Sequence, residues 1–165
     1  MVIEDWISIL FKQLCDSGGW ISYGDPHVVV SKGEFRPQEE SALLLLDYND
    51  EFGELFFIWD PQLQVPSNVR TLYEQTIDSL NNHIDEFEGG FGQFEIDNRS
   101  HVLFSVPLGA MFEELFLITI EDINVFAEEI CDMCSNMYMA LLEVESGRDM
   151  DQVLELACAR VAGRA

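Results

Sequence analysis

The sequence predicts an α+β domain: an antiparallel five-stranded sheet with helices, in the order α-β-β-β-α-β-β-α, followed by a short C-terminal helix. Three observations lead there. Apolar residues recur at helical spacing in three stretches, 3–16, 67–86 and about 120–145. Apolar segments bounded by Gly, Pro, Asn and Asp fall between them, three before the second helix and two after it. The 165 residues are 48% hydrophobic and include twelve Phe and three Trp, enough to fill one core without disulfides or a structural metal.

In the first helix Ile3, Trp6, Ile7, Leu10, Phe11 and Leu14 share a face, and Gly18-Gly19 ends it. Asp25-Pro26 turns the chain into a first strand at Val28–Val30. Ser41–Tyr48, with leucine at 43 to 46, is the second strand, and Glu54–Trp59 the third. In the third, Leu55, Phe57 and Trp59 point one way while Phe56 and Ile58 point the other. A strand apolar on both faces needs cover on both, so one cover comes from helices and the second from another helix, a second subunit or a bound peptide.

Ser67 is the expected N-cap of the second helix, whose apolar face is Val69, Leu72, Tyr73, Ile77, Leu80 and Ile84. Gly92–Asp97 and His101–Leu108 form a hairpin with Phe94, Ile96, Val102, Phe104 and Val106 inward. Residues 109–118 fit neither period clearly; Met111-Phe112 and Leu115–Ile118 read as a loop segment laid over the sheet. Thr119 caps the longest helix, with Glu121 and Asp122 suited to its first turn. Residues 3–147 thus make one domain. Residues 148–165 are an appended short helix or tail with the stripe Met150, Val153, Leu154, Ala157 and Val161.

Eight Lys and Arg face 31 Asp and Glu, a formal net charge of −23. The body, 1–147, holds five of the bases and 28 of the acids, whereas the last 18 residues hold three of each. A field of this sign repels phosphate, so neither nucleic acid nor an anionic membrane is expected as a partner; a basic protein or peptide is. No secretory leader or membrane span is read, and a soluble cytoplasmic protein with free thiols is expected.

Cys131 and Cys134 form a CxxC, but mid-helix and without companion ligands, so they read as small buried hydrophobes. His27, His83 and His101 share no ligand spacing. Asp47, Asn49, Asp50 and Glu51 lack the order of a calcium loop. Gly89-Gly90-Phe91-Gly92 precedes a strand, not a helix, and so reads as a turn instead of a phosphate cradle. No nucleophile motif is present. The expectation is a non-enzyme without catalytic, cofactor-binding or metal-binding residues.

Several stretches carry a resemblance: the acidic turn and strand Asp50–Trp59; Val65-Pro66-Ser67 with Arg70 and Leu80-Asn81; Gly92–Asp97 with Val102-Leu103-Phe104 and Pro107; and the long helix from Thr119. Over about residues 3–146 they resemble the YbjN family and the type III secretion chaperone-like superfamily, in particular an uncharacterised cyanobacterial-type branch. The resemblance implies a small acidic protein, dimeric, that handles other proteins. Secretion chaperones hold an extended segment by strand pairing and apolar pockets. The YbjN branch implies a regulatory or stress role.

The resulting expectation is a protein-binding, chaperone- or adaptor-like acidic module that forms a homodimer. Trp6, Leu10, Phe35, Phe57 and Trp59 would line the partner groove, and the second helix and the hairpin would supply the dimer contact. The alternative is a sensor domain responding to a small ligand or a cation.

Overall fold

Among the described residues of the computed structural model, three helices lie against one face of a six-stranded antiparallel sheet. The structure describes the backbone of residues 3–17, 19–31, 43–84, 92–108 and 117–142, and side chains within most of these. Helix α1 spans Ile3–Asp16; β1 is Trp20–Tyr23, β2 Asp25–Ser31, β3 Leu43–Asn49 and β4 Glu54–Asp60. A 3₁₀ turn, Ser67–Val69, leads into α2, Arg70–Ile84. Then come β5, Gln93–Ile96; β6, Val102–Pro107; and α3, Ile120–Leu142. The strand order is β1-β2-β3-β4-β6-β5.

The α+β class and the antiparallel sheet are as the sequence predicts, but the sheet has six strands, not five. The additional strand is Trp20–Tyr23, which pairs with β2. Gly24, at φ +72°, makes the tight reversal between them, a conformation open to glycine at no steric cost. Pro26 lies inside β2 but before Val28, where pairing with β3 begins, so its missing N–H breaks none of the β2–β3 pairs.

Two details of α2 also differ. Ser67 does not cap the helix: the 3₁₀ turn begins after Pro66, without a side-chain cap bond. Leu72 is 45% exposed and so stands outside the apolar stripe, which includes Tyr73, Ile77 and Leu80, with Val69 of the 3₁₀ turn packed against the core and the Ile84 side chain outside the described residues. Thr119 does cap α3: its Oγ1 accepts the Asp122 N–H at 3.1 Å, and the Asp122 carboxylate accepts the Thr119 N–H at 3.0 Å.

The core lies between the sheet and the helices. From α1 it takes Trp6, Ile7, Leu10, Phe11 and Leu14, and from α3 Ile123, Phe126, Ala127 and Ile130. The sheet contributes the side chains of one face, including Trp20, Leu44, Leu46, Phe57, Trp59, Phe94 and Phe104. Each large apolar side chain buried there contributes about 1.5–3 kcal/mol. Phe57 packs on Phe126 with ring centroids 5.5 Å apart, and the Trp20 indole N–H donates to Asn124 Oδ1 at 2.9 Å. The predicted helix at 149–162 and the segment 109–116 lie outside the described residues.

Candidate functional site: the outer face of the sheet

Pairing in an antiparallel sheet puts directly opposed residues on the same face. One row of partners crosses all six strands: Ile21, Val30, Leu45, Ile58, Ser105 and Gln93. A second row beside it joins Val28, Asp47, Phe56 and Pro107. Both rows lie on the face turned away from α1, α2 and α3. Alternation along each strand marks the two sides: in β3 and β6 every second side chain is fully buried and the others are half-buried.

The middle of this outer face is apolar: Leu45, Phe56 and Ile58 are half-buried neighbours across β3 and β4, and Val30 beside them on β2 is buried at 6% exposure. Carboxylates border it. Asp47 lies in the second row, and Glu54 shares the parity of Phe56 and Ile58 at one end of β4; Asp60, at the other end, is buried and accepts the Gln62 N–H at 2.8 Å, so it fastens the strand end instead of adding to the border. Glu95 lies toward the β5 edge beside Leu103. Among the described residues of this face no Lys or Arg occurs. The arrangement is an apolar strip inside an acidic border, able to desolvate apolar side chains while attracting cations around them.

Four of the five residues expected to line a partner groove lie in the core on the other side of the sheet, Phe57 and Trp59 from β4 and Trp6 and Leu10 from α1. Phe57 and Trp59 are completely buried, and Trp6 and Leu10 nearly so. Trp59 stacks edge-on against Phe94 at 6.4 Å, and Phe57 sits between Trp20 and Phe126. Their apolar surface is taken up by the core. Phe35 lies outside the described residues.

The outer-face side chains were part of the same two-faced strands, and a signal in the sequence could have singled them out. Asp47 and Asn49 share parity with Leu45, and Glu54 shares it with Phe56 and Ile58. Polar residues at strand ends mark the face that the helices do not cover. Ile21 has no such signal, because Trp20-Ile21-Ser22-Tyr23 is too short and too irregular in polarity to mark a strand.

The remaining sequence candidates have structural places. Cys131 and Cys134 are buried on the core side of α3, and Cys15 is half-buried on α1. Among the described residues no group of three or more His, Cys, Asp or Glu is placed to hold a metal ion. In the acidic β3–β4 turn Asn49 Oδ1 accepts the Phe52 N–H at 3.2 Å, so this side chain organises the turn. Beneath that turn, burial and then the carboxylates of Glu4 and Asp50 push the Tyr48 phenol above its ordinary pKa.

No helix among the described residues is long and apolar enough to cross a membrane. Comparison with family models, with curated proteins and with solved structures finds no match to this chain.

Proposed function

We propose that the protein is a protein-binding module, adaptor- or chaperone-like, that takes a basic, partly apolar segment of another protein on the outer face of its sheet. The observation that carries the reading is the half-buried apolar strip of Leu45, Phe56 and Ile58 bordered by Asp47, Glu54 and Glu95. Apolar area removed from water there is worth about 25 cal/mol per Å². The border and the net charge of −23 raise the local concentration of cationic partners. The resemblance to the YbjN and secretion chaperone-like proteins supports the same reading and adds a regulatory or stress context.

The test is affinity capture from native lysate with the tagged protein, beside the variants Leu45→Gln and Ile58→Gln. Both side chains are half-buried on the outer face, so a folded variant is expected, verified by its melting curve. The expected result is a small set of basic proteins, identified by mass spectrometry, that is lost from both variants and weakened by moderate salt. Equal capture by the folded variants removes the outer face from the function.

A further inference from the structure

The two edges of the sheet are treated differently. At one edge lies β5, where Asn81 of α2 reaches down to the main chain of Phe94. Its Nδ2 donates to the Phe94 carbonyl at 2.9 Å and its Oδ1 accepts the Phe94 N–H at 2.7 Å. Phe94 is paired with Phe104 of β6 on its other side, so the amide of Asn81 occupies the main-chain groups that a further strand would use. At the opposite edge lies β1, and among the described residues no strand pairs with its outer side.

β1 also differs from the rest of the surface in charge. Residues 17–24, Ser-Gly-Gly-Trp-Ile-Ser-Tyr-Gly, contain no charged side chain in a chain of net charge −23. Two of its large side chains face solvent, Ile21 at 46% and Tyr23 at 47% exposure. Neither lysine nor proline blunts this edge; its protection is brevity and the irregularity between Ser22 and Tyr23, which leaves Trp20–Ser22 in regular register.

We infer that the β1 edge joins two copies of this chain, β1 pairing antiparallel with its symmetry mate about a two-fold axis. Identical edges satisfy one another under such an axis without a second kind of surface. Charge selects the occupant. A basic partner gains most where carboxylates are dense, whereas residues 17–24 contain none and Asp16 and Asp25 lie just beyond their two ends. A second highly acidic copy meets the least repulsion where carboxylates are missing. The regular stretch is three residues long, so the short ladder sets the register, and Ile21 and Tyr23 supply the apolar contact. In the dimer the row from Ile21 through Val30 and Leu45 to Ile58 meets its mate at Ile21, and the two outer faces become one surface. This places self-association at β1, instead of at α2 and the β5–β6 hairpin, and it does not depend on the partner reading.

The experiment is sedimentation velocity on the wild type, on Ile21→Lys and on Leu72→Lys, an exposed position on α2 beside the opposite edge of the sheet, across micromolar concentrations at low and moderate salt. Hydrogen exchange on the wild type accompanies it. The wild type and Leu72→Lys are expected at twice the chain mass of 18.8 kDa, with more dimer as salt screens the repulsion. Ile21→Lys is expected at 18.8 kDa with a cooperative melt retained. The amides of β1 in the wild type gain protection as concentration rises. A wild type that stays monomeric, or a dimer that survives Ile21→Lys, overturns the inference. Should Ile21→Lys fail to fold, exchange in the wild type decides: β1 protection that does not change with concentration overturns it.

Discussion

Asp97 closes the β5–β6 hairpin by accepting two main-chain bonds on one oxygen, the Arg99 N–H at 2.8 Å and the His101 N–H at 2.9 Å. Burial alone would raise its pKa. The two N–H donors outweigh that, helped by the charges of Arg99 and His101, and hold the carboxyl below its ordinary value of 3.8. A carboxyl whose folded pKa is depressed stabilises the fold above its unfolded pKa, and the contribution is lost as pH falls through the folded value. Asp97→Asn keeps an acceptor of similar shape but loses the charge. It is expected to cost about 1 kcal/mol at neutral pH. Urea melts of wild type and variant should converge as the pH drops below about 4. A difference that persists unchanged into acid would mean that the ionised form has no special role in the turn.

The fold was legible in the sequence where one face of an element is clearly apolar. The bounds of α1 match the spacing of Trp6, Ile7, Leu10, Phe11 and Leu14, because a helix with one greasy stripe has one way to pack. β1 was not legible. Asp25-Pro26 reads as a turn that leads into a strand at Val28, whereas the chain is already paired from Trp20 and the reversal falls at Gly24. Nor did periodicity say which side of β4 the helices cover, since both of its faces are apolar. Large rings suggested a partner at Phe57 and Trp59, yet burial assigns them to the core and leaves Phe56 and Ile58 on the outer face.

Elements also depend on single side chains that no pattern announces, and Asn81 joining α2 to β5 is the clearest case. Asn81→Ala removes both bonds to Phe94 and is expected to destabilise by about 1–3 kcal/mol, since a partly buried N–H and carbonyl lose their partners. Denaturant unfolding would measure the loss, and exchange should show it concentrated in β5. A variant as stable as wild type, with β5 equally protected, would mean water serves that edge equally well. Close approach constrains the same strand: a Cβ on Gly92 would stand 2.0 Å from the Phe104 ring, which is buried, so no side chain fits there without displacing the ring.

At the scale of the molecule, self-repulsion governs the electrostatics. The chain carries thirty-one acids and eight bases, and the described ion pairs offset little of that imbalance. Arg70 meets Glu74 at 2.9 Å with both side chains about half exposed, and Arg99 meets Asp97 at 3.6 Å with the arginine largely in solvent. Exposed pairs of this kind contribute about 0–1 kcal/mol. Repulsion among the many remaining carboxylates acts over longer distances and is screened once the Debye length falls to about 10 Å, near 0.1 M salt. Salt weakens both effects, and the larger one decides the sign. The melting temperature should therefore rise as sodium chloride increases from about 20 mM to about 300 mM. The rise should be repeated with sodium acetate, because a response to ionic strength does not depend on which monovalent anion carries it. A fall in melting temperature would mean that attractive pairs outweigh the net charge. A rise confined to calcium or magnesium at matched ionic strength would instead identify a bound cation as the stabilising agent, the behaviour of a sensor domain.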